Sequence, residues 1–169
     1  SNLVKIDLQG QVQDGSHHAV NPAGFTVHAA IHDALPHAHC VMHTHTTAGM
    51  AVACLQGGLQ QTNFYSAQLH GRLAYHDFEG ITIHADEAPR LLAWGRTLPQ
   101  TFALLWTLQR ACEIQLATLS MGTAIAVPDA VAARCAQDAL QFHPDHGGGN
   151  DVFDALVRQV DRIDTCYRN

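Results

Sequence analysis

The sequence predicts an α/β fold, in which short strands alternate with helices around one hydrophobic core. In the first half of the chain, short runs of apolar residues are separated by segments with helical periodicity. The second half contains long stretches with helical periodicity. A chain of 169 residues with 47% hydrophobic content can bury one core and is too short for two comfortable domains. We therefore expect a single domain over residues 1–169.

The first half of the sequence predicts alternating strands and helices, with suitable residues at the helix starts. Pro22 suits the first turn of a helix, and Thr46 or Thr47 can cap the next one. The expected segments are a strand at 3–7, a helix from Pro22 that stops before Pro36, a strand at 40–45, a helix that ends at Gly57, and short strands at 73–75 and 81–83 around a turn at 77–80.

The second half predicts three helices. One contains an apolar stripe, one runs from Pro128 to Ala139, and the last is capped by Asp151. Segment 143–149 is rich in glycine but lacks the strand-to-helix context of a phosphate loop, so we interpret it as a linker. The stripe comprises Phe102, Leu105, Trp106, Cys112, Leu116 and Leu119, and the expected buried side of the last helix comprises Phe153, Leu156, Val157, Val160 and Ile163.

Charge and composition argue against nucleic-acid binding and membrane insertion. The formal net charge is -6 and the nine Lys and Arg are scattered, which argues against nucleic acid as a partner. No apolar run approaches the roughly 20 residues that cross a bilayer, and residues 1–10 do not resemble a signal peptide. We expect a cytoplasmic protein without membrane insertion. The five cysteines lack paired ligand spacing, and we expect reduced, mostly buried thiols.

His43 and His45 form the most informative pattern in the chain. Side chains two residues apart on a strand leave from the same face, so both imidazoles can converge on one ion. Neutral imidazole binds Zn²⁺ and other divalent metals, but a catalytic zinc takes three protein ligands, so the pair is half of a site. The alternative is two polar residues at a strand end. His28 and His32 share one helix face, and we expect packing or hydrogen bonding there.

Five segments, in this order, resemble the class II aldolase/adducin family, and its adducin-like branch in particular. They cover most of the chain from about Leu3 to Met121 and are more specific together than the histidine pair alone. The segments are NPAGF at 21–25, HAAIH at 28–32, CVMHTHT at 40–46, GRLAYHDFEG at 71–80 and ACEIQ at 111–115.

The resemblance implies a three-layer α/β/α sandwich with a mainly antiparallel central sheet, assembled as a tetramer with active sites between subunits. It also implies a Zn²⁺, or another divalent metal, held by three histidines, of which the first two match His43 and His45. The segment that carries the third is absent: Arg90 is followed directly by Leu91, in a run that resembles the residues after that histidine. The start, near Leu3, also looks late for the family.

Two explanations for the missing segment are open, a shortened protein and a sequence that omits residues. We favour omission of residues before Leu3 and between Arg90 and Leu91. Loss of an internal strand would expose unpaired backbone and split the core, at a cost greater than a domain's stability of about 5–15 kcal/mol.

The acid and base groups implied by the resemblance are incomplete. Family aldolases place a glutamate at the position of Gly24, where this chain has no carboxylate. That glutamate moves the proton while the metal polarises a hydroxy-carbonyl substrate and a tyrosine assists the aldehyde oxygen. Tyr65 lies near the expected place of the tyrosine, with a plain packing role as the alternative. His28 could carry the proton instead, because imidazole titrates in the suitable range.

Two functions follow from different classes. The first is a metal-dependent, lyase-like enzyme that acts on a small hydroxy-carbonyl or sugar-derived substrate, with His43 and His45 as metal ligands and Tyr65 and His28 as catalytic candidates. The second is a non-catalytic binding module like that of adducins, which associate with actin and the membrane skeleton. The histidine pair favours the enzyme, since a binding fold has no need to aim two imidazoles at one point. The missing glutamate favours the binding module.

Overall fold

The structure is a computed structural model that describes residues 3–75 and 92–168, apart from the side chains of Ala23 and Pro144. The predicted turn at 77–80, the strand at 81–83 and the junction of Arg90 and Leu91 lie outside these residues. The helices and strands in the described part are α1 (Pro22–Ala34), β1 (Cys40–His43), α2 (Thr47–Ala53), α3 (Phe64–Gln68), β2 (Leu92–Gly95), α4 (Leu98–Met121), α5 (Asp129–Asp138) and α6 (Asn150–Asp161). Short 3₁₀ turns cover Leu140–Phe142, Pro144–His146 and Cys166–Arg168.

Strands β1 and β2 pair antiparallel, with Cys40 opposite Gly95 and His43 opposite Leu92. The prediction of a strand at 3–7 is wrong, because this segment makes one isolated bridge, between Ile6 and Val12. Asp7 explains the difference: its side chain accepts hydrogen bonds from the backbone N–H groups of residues 9 and 11, which favours a tight turn over an extended ladder.

Two further strand predictions need correction. Residues 73–75 do not form a strand, and the Tyr75 hydroxyl instead accepts a hydrogen bond from the backbone N–H of Leu59 at 3.0 Å. Strand β1 ends at His43 rather than at His45. The reason is the early start of α2, for which Thr46 is the N-cap: its hydroxyl accepts a hydrogen bond from the backbone N–H of Gly49 at 3.2 Å.

Helix α4 is the element against which the others pack. It contacts both strands and helices α2, α3 and α6. Thr97 caps its start by accepting a hydrogen bond from the N–H of Gln100. Its packed side contributes three members of a hydrophobic cluster that consists of Val52, Leu59, Leu69, Leu108, Ala111, Cys112, Ala139 and Phe142.

The predicted stripe of α4 is correct for Cys112, which is fully buried, and wrong for Trp106, which is 46% exposed. Apolar periodicity also missed the polar residues Thr101, Thr107 and Gln115, which are buried on this helix. Gln115 is buried with its hydrogen bonds satisfied, because it accepts from the N–H of Gln60 at 2.7 Å and donates to the carbonyl of Gly58 at 2.9 Å.

Helix α5 forms where predicted, whereas two predictions for α6 are wrong. The N-cap is Gly149, whose φ of 78° lies in the left-handed region, and Asp151 lies in the first helical turn. The expected buried face is largely exposed, with Leu156 at 38% and Val160 at 46%. Phe153 packs edge-on against Phe102 at 5.8 Å between ring centroids. Ile163 is 81% exposed. Among the described helices, none has the length and apolar composition to span a bilayer.

All five cysteines lie in the described part of the chain and are present as thiols. The expectation that they are mostly buried is wrong, because Cys54 and Cys166 are exposed and Cys40 and Cys135 are partly buried. Burial raises the pKa of the Cys112 thiol to about 11, which makes this group a packing residue rather than a nucleophile.

Candidate functional site

His43 and His45 lie together at the end of β1, as the sequence predicts. Their ring centroids are 5.1 Å apart, with an angle of 69° between the ring planes. His43 is the last residue of the strand and is half-buried, whereas His45 lies beyond the strand end and is exposed. The pair therefore places a half-buried imidazole and an exposed imidazole next to each other at the strand end.

Helix α1 adds a third imidazole, that of His28. Its Nε2 atom lies 2.9 Å from Nδ1 of His43, within hydrogen-bond distance, and the two ring centroids are 5.1 Å apart. We call His28, His43 and His45 the histidine cluster. One turn further along α1, the His32 ring donates from Nδ1 to the carbonyl of Ala38 at 2.6 Å, because a carbonyl can only accept. The predicted hydrogen-bonding role of His28 and His32 is confirmed.

Two members of the histidine cluster, His28 and His43, favour the neutral imidazole. Burial lowers the pKa of His28, and the neighbouring rings of His43 and His32 lower it further. Burial also lowers the pKa of His43, with a smaller contribution from His45. A charged imidazolium is disfavoured at each position because it would lose solvation and face another ring that can carry positive charge. The neutral form is the one that binds metal.

The hydrogen bond between His28 and His43 determines which nitrogen of His43 is available. If Nδ1 of His43 carries the hydrogen and donates to Nε2 of His28, the lone pair on Nε2 of His43 is free to bind an ion. In the opposite tautomer that lone pair is used by a hydrogen. The geometry thus allows His43 to act as an Nε2 ligand, with His28 as the group that orients it.

The described residues do not complete a metal site. Within 3–75 and 92–168, no group of three or more His, Cys, Asp or Glu side chains is arranged to hold a metal ion. His28 uses its near nitrogen in the contact with His43. The described part of the chain therefore supplies the two predicted ligands, His43 and His45, and no third one.

Tyr65 lies in another part of the molecule. It belongs to α3 and packs edge-on against Trp106 of α4, with ring centroids 5.6 Å apart. The Tyr65 ring also lines a cavity of about 480 Å³ with mostly apolar walls, and none of the three histidines lines it. The structure therefore brings His28, His43 and His45 together and does not bring Tyr65 to them within one chain.

Gly24 lies on α1 one turn before His28, so a side chain at this position would share the face of His28. A Cβ atom built there would have Asn21 Nδ2, at 3.8 Å, as its nearest neighbour outside the local helix backbone. The position that would hold the family's glutamate is therefore helical and open, and the chain lacks the side chain rather than the space for it.

A polar network that the sequence pattern did not predict lies beside the histidine pair. The Thr46 hydroxyl donates to Oε1 of Gln109 at 2.5 Å, and Nε2 of Gln109 donates to Oε1 of Glu113 at 2.7 Å. Arg110 donates to the same oxygen of Glu113 at 2.6 Å. The spacing of Gln109 and Glu113 by four was visible, but their link to Thr46 joins residues 63 positions apart.

A comparison with known families shows the family to which this chain belongs. Residues 1–89, which include the whole histidine cluster, match the class II aldolase and adducin N-terminal domain. The chain belongs to the class II aldolase and adducin family. The resemblance seen in the sequence is thereby confirmed.

Relatives from both branches of the family match nearly the whole chain. A protein of Pseudomonas aeruginosa named for aldolase class 2 is 34% identical, over 99% of this chain and 73% of its own length. Alpha-adducin of Rattus norvegicus is 31% identical, over 96% of this chain and 26% of its own. These alignments run over 189 and 194 residues, more than the 169 of this chain, so the relatives have residues within the aligned range that have no counterpart here.

Solved structures confirm the α/β fold class. An aldolase II superfamily protein from Pseudomonas syringae superposes with a TM-score of 0.85 and 31% identity, over 100% of this chain and 75% of that one. L-fuculose 1-phosphate aldolase from Glaciozyma antarctica superposes with a TM-score of 0.77 and 25% identity, over 93% of this chain and 68% of that one.

The lowered pKa values predict that acid destabilises the metal-free domain. As the pH is lowered through the ordinary imidazole pKa of about 6.5, the unfolded chain takes up protons at His28 and His43. The folded protein does not, because the pKa values of these two residues are lowered. The free energy of unfolding therefore decreases as the pH decreases, until the folded pKa values are reached. Urea unfolding with a chelator at about pH 7.5 and about pH 5.5 would measure this loss. We expect a smaller loss in His28→Gln, and a wild-type loss in the control His17→Gln at an exposed position. Equal losses in all three proteins would contradict the prediction.

Proposed function

We propose that this chain is a metal-dependent lyase of the aldolase type, which cleaves or forms a C–C bond in a small hydroxy-carbonyl or sugar-derived substrate. Family membership supports aldolase-like lyase function in general. The observation that carries the proposal is the convergence of the His43 and His45 rings, with His28 hydrogen-bonded to the first of them. The match to an L-fuculose 1-phosphate aldolase supports a sugar-derived substrate class.

The donor set of the histidine cluster fits a borderline divalent cation, Zn²⁺ or another. His43 and His45 would hold it, because neutral imidazoles of this kind are ordinary zinc ligands. When bound, such an ion polarises the carbonyl of the substrate as a Lewis acid. His28 orients the His43 ring through the hydrogen bond at Nδ1. The exposed position of His45 leaves one side of the pair open to solvent and to a small substrate.

The third ligand, in our proposal, belongs to the segment missing between Arg90 and Leu91. The relatives support this proposal because their alignments contain residues that have no counterpart in this sequence. A catalytic zinc needs three protein ligands and an open position, so the two described histidines alone would bind the ion weakly.

Proton transfer is assigned to His28 and Tyr65 as candidates. His28 is neutral near pH 7 because its pKa is lowered. When Nε2 accepts the hydrogen bond from His43, the single hydrogen of His28 is on Nδ1, so His28 would accept a proton at Nε2 once this hydrogen bond opens. Tyr65 would donate to the aldehyde oxygen. Within the described residues Tyr65 contacts Trp106, and the cavity that it lines does not include the three histidines, so we place this role in an active site shared between subunits, as the family resemblance implies.

We also propose a homo-oligomer, a tetramer by family resemblance. The exposed apolar residues of α6 support it, because Val152 is 56% and Val160 46% exposed on one face of the helix, and an apolar stripe of this kind is typical of an interaction surface. Light scattering on the eluting protein would give about four times the chain mass of 18.3 kDa if the assembly is a tetramer.

The second candidate function is a non-catalytic module that binds a protein, like the domain of adducins. Two observations favour it: the identity of 31% to alpha-adducin over 96% of the chain, and the absence of a carboxylate at Gly24. Association with actin or the cytoskeleton is part of this alternative by family analogy only. Metal binding distinguishes the two candidates, since a module of this kind does not require it.

Metal content is the first test of the proposal. Protein purified without chelator or metal-affinity column should contain about one divalent ion per chain by inductively coupled plasma mass spectrometry. The ion should be lost in the double variant His43→Ala/His45→Ala, because both proposed ligands are removed. The control is His17→Ala/His18→Ala, which removes two exposed histidines and should keep the metal. No metal in the wild type, even after incubation with zinc, would rule out the metalloenzyme and leave the binding module.

A carboxylate introduced at Gly24 should increase proton transfer. The position shares a helix face with His28 and is sterically open, so Gly24→Glu places a general base one turn from the histidine cluster. General bases contribute about 10²–10⁴ in rate. Deuterium exchange at the α-carbon of dihydroxyacetone or its phosphate, followed by proton NMR, should be about tenfold faster or more in this variant. Gly24→Gln is the control of equal size. Equal exchange in both variants would show that this face of α1 does not reach the reacting carbon.

A further inference from the structure

Thr46 connects the histidine pair to helix α4. It follows His45 directly, and its hydroxyl makes two different hydrogen bonds: it accepts from the N–H of Gly49 and donates its single proton to Gln109. Both partners are used, so the rotamer of Thr46 and the direction of the chain after His45 are determined together. Within the described part of the chain, His45 itself makes a ring contact with His43 and no hydrogen bond.

Gln109 has only one orientation that satisfies this network. Its amide oxygen accepts from Thr46, and its amide nitrogen donates to Glu113. A reversed amide would point its oxygen at the Glu113 carboxylate, which has no hydrogen to donate, and would take away the acceptor of the Thr46 hydroxyl proton. Gln109 is half-buried, so water does not readily replace these contacts.

Glu113 is held in place from the other side. Arg110 donates to it at 2.6 Å, and the Arg110 guanidinium carbon lies 5.8 Å from the centroid of the Trp106 ring. The positive charge of Arg110 balances the carboxylate at a position where the Glu113 side chain is 36% exposed. The chain of bonds from Arg110 to Thr46 is therefore anchored at its far end on the rigid helix α4.

We propose that Gln109, oriented by Glu113, is a positioning residue for the metal-binding pair: through Thr46 it sets where His45 stands relative to His43. The inference rests on the proposed function, because it assigns a role toward a metal held by these two imidazoles. Gln109 does not touch the metal or the substrate. Partners one shell away from a ligand typically change metal affinity by 10–100-fold when they are removed.

An exchange of the two polar residues gives a matched test. Gln109→Leu removes both hydrogen bonds of the amide. Gln109→Glu places a second carboxylate against Glu113, whereas Gln109→Glu with Glu113→Gln restores a donor and an acceptor in every contact at unchanged net charge. The control Gln159→Glu makes the same chemical change at an exposed position of α6. If the leucine variant does not fold, the two glutamate variants still test the inference.

The readouts are the dissociation constant for Zn²⁺, by competition with a chromophoric chelator, and the visible absorption of bound Co²⁺, which reports ligand geometry. We expect about 10–100-fold weaker zinc binding and an altered Co²⁺ spectrum in Gln109→Leu and Gln109→Glu, with recovery in the exchanged pair and none of these changes in the control. Urea unfolding of the metal-free variants separates weaker zinc binding from a loss of stability. If the network only stabilises the fold, a variant that is still folded without metal should bind zinc as tightly as the wild type.

The outcomes separate the inference from the function it rests on. If the wild type binds zinc and the Gln109 variants bind it equally well with an unchanged Co²⁺ spectrum, the positioning role is overturned and the metal site stands. Failure of the exchanged pair to recover binding also overturns it. If the wild type binds no metal, the proposed function is overturned and the inference falls with it.

Discussion

The packing of helix α4 against the paired strands β1 and β2 is the contact on which the rest of the structure depends. Gly95 makes the close approach possible, because a Cβ atom there would lie 2.8 Å from the hydroxyl of Thr101 on α4. With α4 in this place, it contacts both strands and helices α2 and α3, and its Gln109 reaches Thr46. The histidine cluster therefore lies at the end of β1. Of the two proposed ligands, His43 is the last residue of the strand and His45 lies just beyond it.

The histidine pair could be predicted from the sequence because its logic is local. His43 ends β1 and His45 follows two residues later, so the short connection between them keeps the two rings close, at 5.1 Å between centroids. The same holds for the cap at Thr46 and the start of α1 at Pro22. The contact between His28 and His43 needed the packing of α1 on β1, and the link from Thr46 to Gln109 needed that of α4. Apolar periodicity does not reveal such pairings.

Most of the wrong predictions have one cause: a pattern of apolar residues in the sequence does not show which other parts of the chain will cover them. The apolar side of α6 was expected to be buried, yet Leu156 is 38% and Val160 46% exposed, whereas Phe153 packs against α4. Trp106 was placed in the core and instead lies at the rim, between Tyr65 and Arg110. The N-terminal segment is a different case. It does not form a strand because the side chain of Asp7 accepts hydrogen bonds from backbone N–H groups that a strand would need.

The central claim is that His43 and His45 bind one metal ion in this domain. X-ray absorption at the zinc edge of the zinc-loaded protein tests it most directly, since imidazole ligands give nitrogen atoms at about 2.0–2.1 Å and a characteristic scattering from the outer ring atoms. If His43 and His45 both bind the ion, we expect at least two imidazoles per zinc in the wild type and one imidazole fewer in His45→Ala. A first shell of oxygen or sulfur without the imidazole pattern would contradict it.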